Sequence, residues 1–438
     1  MAATSRSPPP PPPLAPWVIL GRVALVPYAA AGDPDPEDPS VELAAPPLVS
    51  SLTVPLRVHP KPTYRDADRH PYILAANDAG LLLHVSEGPF IGFDFGRNPM
   101  GVLVVARDFL PADPAAGRDA PTATAVRVPD RACPPQVRIA NIKHVGFVSL
   151  PGTDEYVVAE LRLLEDDDRA SLLSFRSGTD VWVEREVLCP CMAGREWLRP
   201  IDDVISNDGK LWWVNLASGL LGWDPLANNQ LAVLRHVHLP RVFAVDDTAP
   251  QPREHPEHHR MVRASNRKVR FVDMTRTRDA PLEETLVVVW TLSFGESGAA
   301  SWRQRCVTSL AEIWANDSYR MTGMPEQVPV LALLHPANPD VVFFFLEQYL
   351  IGVDVHESRV TEFVEEPCDL VELVAGPPQP PPISWRHFLA WMLPPSLQNA
   401  LDHEYSISEE LDSQDDKDVA PTEASQSSAP SSGVGRQE

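Results

Sequence analysis

Residues 204–226 read V-I-S-N-D-G-K-L-W-W-V-N-L-A-S-G-L-L-G-W-D-P-L. Two short apolar runs each follow a tight-turn signal, Asn207-Asp208-Gly209 and then Ser218-Gly219. Asp-Gly and Ser-Gly supply positive φ at little steric cost, which short hairpin turns demand. A chain punctuated this way folds into short antiparallel strands.

Similar phrasing recurs on both sides. Pro71–Glu87 repeats the order strand, Asn-Asp-x-Gly, strand. Val145–Leu150, Tyr156–Leu164, Ala170–Arg176 and Val181–Val187 form a meander, separated by Pro151-Gly152, the acidic Glu165–Asp168 run and Ser177-Gly178. Further strands are expected at Trp17–Tyr28, Leu52–Val58, Gly101–Phe109, Leu231–Leu239, Val269–Met274 and Leu286–Phe294. Two more hairpins are expected, Val328–His335 with Val341–Glu347 and Tyr349–Val355 with Arg359–Val364. Residues 111–135 read as a loop, and 246–266 as a polar insertion. The triplet G-x-D recurs as G-F-D at 92–94, G-W-D at 222–224 and G-V-D at 352–354.

Many short strands with a loose repeat predict an all-β fold, a β-propeller-like array of small antiparallel sheets, with a short C-terminal helix and disordered termini. Radial closure removes exposed sheet edges, and about five to seven blades fit the length. The 48 prolines shorten strands and punctuate turns. Helix is expected only at Ala311–Tyr319 and Ser384–Leu393. In the second, Ser384 is the cap, Trp385, Phe388, Leu389 and Met392 fall at helical spacing, and Pro394-Pro395 ends the run. The chain divides into a disordered proline-rich leader at 1–13, a propeller-like domain at 14–395 and a disordered acidic, Ser-rich tail at 402–438. Pro8–Pro13 suits a polyproline II rod, a solubilising tail in preference to a docking peptide.

The formal net charge is −23. Counterion release from phosphates needs cations, so non-specific nucleic-acid binding is not expected, and neither is docking on anionic membrane. Five cysteines, at 133, 189, 191, 306 and 368, are too few for a disulfide framework and suit a reducing compartment. No run reaches a membrane-spanning length, and the proline run leaves no continuous apolar signal segment. A cytoplasmic or nuclear location is expected.

No motif assigns a catalytic residue, a cofactor site or a metal ligand. Phe294-Gly295-Glu296-Ser297-Gly298-Ala299 lacks the last glycine of a nucleophile elbow and reads as a hairpin turn. Cys189-Pro190-Cys191 is too closely spaced for a usual zinc pair, even with His255, His258 and His259 as further donors. The pairs Asp202-Asp203, Glu283-Glu284 and Glu365-Glu366 read as solvated faces, because neighbours on a strand point apart rather than converging across a cleft. Trp182, Trp212, Trp213 and Trp223 read as core in preference to a binding surface. Trp212 and Trp213 must face opposite ways, one in the core and the other exposed or between blades. Ser413-Gln414-Asp415-Asp416 in the acidic tail resembles an acidophilic kinase site.

The segments L-W-W-V-N-L-A-S-G-L-L-G-W-D, R-F-V-D-M-T, W-T-L and W-R-Q-R-C-V-T-S-L-A-E-I-W resemble the plant domain-of-unknown-function family 1618, expanded in grasses. The upstream S-F-R-S-G-T-D-V-W-V-E-R and W-V-I-L-G-R-V-A-L resemble its flanking regions. The likeness spans most of 17–395, with a core at about 213–345. Asn215 stands where the family usually has Asp. The resemblance implies a propeller-like protein of a plant cell and no catalytic residues. V-L-A-L-L-H-P, V-F-F-F-L and G-V-D-V are also similar to F-box-associated domains. Residues 1–60 carry no helical period for an F-box itself.

The function expected is therefore a non-enzymatic protein-interaction module with protein partners. The alternatives are a substrate adaptor for a ubiquitin ligase supplied by a partner, and a propeller-funnel enzyme or carbohydrate binder.

Overall fold

The computed structural model describes residues 17–26, 38–55, 71–86, 101–130, 141–163, 168–179, 181–189, 201–227, 232–240, 256–277, 280–365 and 385–398. The leader at 1–13 and the tail at 402–438, with Ser413, lie outside them, as do Ser384, His255 and Cys191.

The first strands are β1 (Trp17–Gly21), β2 (Ser40–Glu42) and β3 (Val49–Thr53). Next come β4 (Tyr72–Asn77), β5 (Gly80–Ser86), β6 (Gly101–Leu110) and β7 (Thr122–Arg127), an antiparallel meander. A second meander holds β8 (Val145–Ser149), β9 (Tyr156–Leu163), β10 (Arg169–Arg176) and β11 (Trp182–Leu188). A third holds β12 (Asp203–Asn207), β13 (Lys210–Asn215) and β14 (Gly219–Trp223). The short β15 (Ala232–Val233) then adds to β11, while β16 (Arg235–His238) completes the third sheet.

The fourth sheet is β17 (Arg260–Ser265), β18 (Lys268–Thr275), β19 (Leu286–Phe294) and β20 (Ala300–Ser309). Two short helices, α1 (Leu310–Ala315) and α2 (Asp317–Arg320), lead to the fifth sheet of β21 (Val330–Leu334), β22 (Val341–Leu346), β23 (Tyr349–Asp354) and β24 (Arg359–Phe363). The last described strand, β25 (Phe388–Met392), pairs antiparallel with β1.

In five blades the first strand in chain order lies innermost, and in the closing blade the last strand, β25, takes that place. Contacts run from β4 to β8, β12, β17, β21, β25 and back to β4, closing a ring. The molecule is thus a six-bladed propeller among the described residues. The closing blade joins β25 to β1, β3 and β2, and its outer strand meets β7 of the next blade at Ser40 and Thr122.

Apolar clusters fill the interfaces around this ring. Trp17 and Ile19 pack toward Phe343 and Phe388 on one side, while Val18 and Leu20 pack toward Ile73 and Leu83 on the other. Strands such as β1, β21 and β22 are covered on both faces and read as unbroken apolar runs rather than an alternation.

That double burial explains the main correction. Ser384–Leu393 is not a helix: Trp385–His387 makes one 3-10 turn, and Phe388–Met392 is β25. Phe388 faces one blade and Trp391 the other. A five-residue apolar strand covered on both faces matches helical spacing by chance, and closure of the ring decides the outcome. The loop expected at 111–135 contains β7, and the insertion expected at 246–266 contains β17.

The turn chemistry follows the sequence. Asp208 (φ 51°) and Gly209 (φ 70°) both adopt the left-handed region between β12 and β13, as a type I′ hairpin requires.

Candidate functional site at the propeller axis

The innermost strands begin at one mouth of the axis, and polar side chains collect there. Tyr72 opens β4, Asp203 opens β12, and Trp385 and Arg386 lie in the 3-10 turn that leads into β25. Arg22 arrives from the segment after β1, and Lys143 from the 3-10 turn Ile142–His144 before β8. With Leu74, Ile142, Val145 and Asp202, they line a cleft of about 370 Å³, part of it open to solvent.

Buried hydrogen bonds hold these groups in place. Arg22 donates from Nε to Ile73 O (2.9 Å) and from Nη2 to Leu74 O (2.5 Å), and its guanidinium lies 4.9 Å from the Tyr72 ring centre. The Tyr72 hydroxyl donates to Arg386 O at 2.5 Å. Asp202 Oδ2 accepts from the Leu216 amide at 2.8 Å, and Asp202 Oδ1 lies 3.8 Å from Arg386 Nη2. Arg263, from β17, donates from Nη1 to Asp203 Oδ2 and to Val262 O. The guanidinium carbons of Arg263 and Arg386 lie 4.4 and 5.5 Å from the centre of the Trp385 ring, whose Nε1 donates to Arg260 O.

Desolvation governs the electrostatics. Burial raises Asp202, against the pull of the Leu216 amide and Arg386, with Glu257 adding to the rise. It also raises the Tyr72 hydroxyl and lowers the Arg263 guanidinium, which Asp203 opposes. Buried ion pairs of this kind repay desolvation only with good geometry.

The structure therefore corrects the reading of Asp202-Asp203. These side chains are 18% and 13% exposed, not a solvated face. Glu283, Glu284 and Glu365 are exposed, and Glu366 lies outside the described residues. Trp212 and Trp213 do face opposite ways, but both are buried between blades, Trp213 toward β9 and β10 and Trp212 toward β18 and β19. Trp223 packs on Trp213, and Trp182 Nε1 donates to Pro129 O.

Ser297 sits exposed in the β19–β20 turn, where the Gly298 amide donates to Gly295 O. Cys189 is buried, and Cys191 lies outside the described residues. Among the described residues, no three His, Cys, Asp or Glu side chains gather as metal ligands, and no helix is long and apolar enough to cross a membrane.

The axial cluster draws on positions from 22 to 386. No spacing in the sequence announces it; the one visible signal was the Asp202-Asp203 pair itself.

Comparison with known families places one segment of the chain. Residues 213–343 match the model of the family described as Protein of unknown function (DUF1618). The DUF1618 segment runs from β13 to β22 and contains Arg263, whereas Arg22, Tyr72, Asp203 and Arg386 lie outside it. Asn215, within it, accepts at Oδ1 from the Ala217 and Ser218 amides, a role that aspartate fills equally. No curated protein matches the chain. Among solved structures, the chain is similar to a Penicillium chrysogenum alpha-L-arabinanase complexed with arabinobiose, at 12% identity and a TM-score of 0.31, over 64% of this chain and 76% of that one.

Proposed function

We propose that this protein is a non-enzymatic interaction module that meets a protein partner at the mouth of its propeller axis. The observation that carries this reading is the state of the cleft carboxylates. Asp203 is held by Arg263, and Asp202 by the Leu216 amide and Arg386. Side chains already spent on one another present fixed shape and charge rather than a reactive pair. Affinity capture from plant extract tests it, with the native chain and a Lys143→Glu variant as baits. A partner retained by the native chain and lost by the variant is expected. Equal retention by both baits would place the contact elsewhere. Ligase subunits among the captured proteins would favour the adaptor role.

A second reading, a hydrolytic or carbohydrate-binding funnel, draws on Asp202, whose raised carboxyl lies in the same cleft. Release of sugar from plant oligosaccharides, abolished by Asp202→Asn, would establish it in place of the first.

A further inference from the structure

We infer that the axial cleft is a recognition site for an oxyanion, a carboxylate or phosphate group carried by the ligand. The inference takes its location from the reading above, but its argument rests on charge and hydrogen bonding alone.

The chain as a whole carries a formal charge of −23, yet the mouth reverses that sign. Arg22, Lys143 and Arg386 line the cleft, and Arg263 stands beside them through its pair with Asp203. Against these four cations stand Asp202, Asp203 and, within electrostatic reach of Asp202, Glu257. The balance remains positive. Around the Tyr72 hydroxyl, too, stand the guanidiniums of Arg22, Arg386 and Arg263 and the carboxylate of Asp203.

Hydrogen bonding points the same way. Arg263 spends Nη1 on Asp203 and Val262 O, while its Nη2 is buried with no hydrogen-bond partner among the described residues. A buried donor left without an acceptor is costly, and an oxygen anion reaching it from the neighbouring cleft would relieve that cost. The planar guanidinium fork matches carboxylate and phosphate geometry, and stacking on one indole fixes the planes of Arg263 and Arg386 before any ligand arrives. A bound cation would find the reverse: both cleft carboxylates already engaged and arginines crowding the approach.

The test is thermal unfolding of the full chain against increasing inorganic phosphate and, separately, succinate. Sodium chloride holds the ionic strength constant, and a calcium chloride series is run alongside. A saturable rise in Tm with one of the anions, in excess of chloride, is expected, and the stronger of the two distinguishes phosphate from carboxylate. Arg22→Gln should abolish the saturable part. Lys143→Gln, at a half-buried position that leaves the core intact, should weaken it about tenfold. A response unchanged in Lys143→Gln, no saturable response to either anion, or stabilisation by calcium alone would overturn the inference. Partner capture that fails while anion binding persists would sink only the protein-partner reading; capture without anion binding would sink only this one.

Discussion

The Trp212 ring on β13 lies directly over Gly222, its cross-strand partner on β14, so closely that a Cβ on the glycine would stand 2.6 Å from ring carbon Cζ3. Two blades further round, Phe343 on β22 covers Gly352 on β23, where a Cβ would come within 3.0 Å of the ring. In both places Asp follows two residues later and caps a turn. Asp224 Oδ1 accepts from the Leu226 amide, and Asp354 Oδ1 from the His356 and Glu357 amides. The triplets at 222–224 and 352–354 thus mark the end of a blade's third strand, where glycine admits the aromatic ring of the second strand and aspartate begins the turn; the triplet at 92–94 lies outside the described residues.

Gly222→Ala should therefore destabilise the protein by overpacking, by about 1–3 kcal/mol. The buried indole is hemmed in by the neighbouring blade and has no easy retreat. Urea unfolding measures the effect. An unchanged midpoint would mean that the ring moves freely and the packing argument fails.

The Asp203–Arg263 pair is buried on both sides, at 13% and 14% exposure. Asp203→Ala leaves a guanidinium uncompensated and should cost about 3–5 kcal/mol. Asp203→Leu combined with Arg263→Met should cost less than the sum of the two single changes, because neither charge is then stranded. A double-mutant cycle reads this coupling; strict additivity would contradict it.

Stability should fall in mild acid. His335 accepts at Nδ1 from the Ala337 and Asn338 amides, and burial pushes it down to about 4 from an ordinary 6.5. His84, also buried, is pushed down to about 4. Between those values the folded state binds fewer protons than the unfolded chain, so stability rises with pH across the window and is lost as pH falls from 6.5 toward 4. Glu362 acts oppositely: burial raises it to about 7 from 4.5, so its contribution is present below 4.5 and lost as pH rises through 7. His335→Gln should flatten the acid decline in Tm. Glu362→Gln should raise Tm at pH above 7 and leave it nearly unchanged at pH 4. A parallel shift at all pH values would refute either assignment.

Trp391 is 1% exposed on β25 and packs against Phe109 with ring centres 5.0 Å apart. Trp391→Ala should cost about 3–5 kcal/mol and broaden thermal unfolding. An intact transition, by calorimetry, would show that blade closure does not depend on this contact.

The strands legible in the sequence were those whose burial made them apolar and whose turns needed special φ, such as Leu211–Val214 after Asp208-Gly209. Those missed were governed by their neighbours instead. β20 is an outer strand with exposed Arg303, Gln304 and Arg305, so no apolar pattern marks its extent, and only the hairpin turn before it announces it. β17 hid behind Arg260 and Arg263, whose charges are met by Asp273 and Asp203 in other strands. The axial cluster was invisible for the same reason. Arg22, Tyr72, Asp203, Arg263 and Arg386 share no local pattern and meet only because the ring closes.

The pairing of β25 with β1, from Trp17 opposite Met392 to Gly21 opposite Phe388, also sets an order of events during biosynthesis. The first described strand has no inner partner until the last described strand is made. Trp17 and Ile19 wait through translation of every other blade, and slow, long-range pairing is the step that aggregation competes with. A cell making this protein must keep that first greasy edge shielded until the ring can shut.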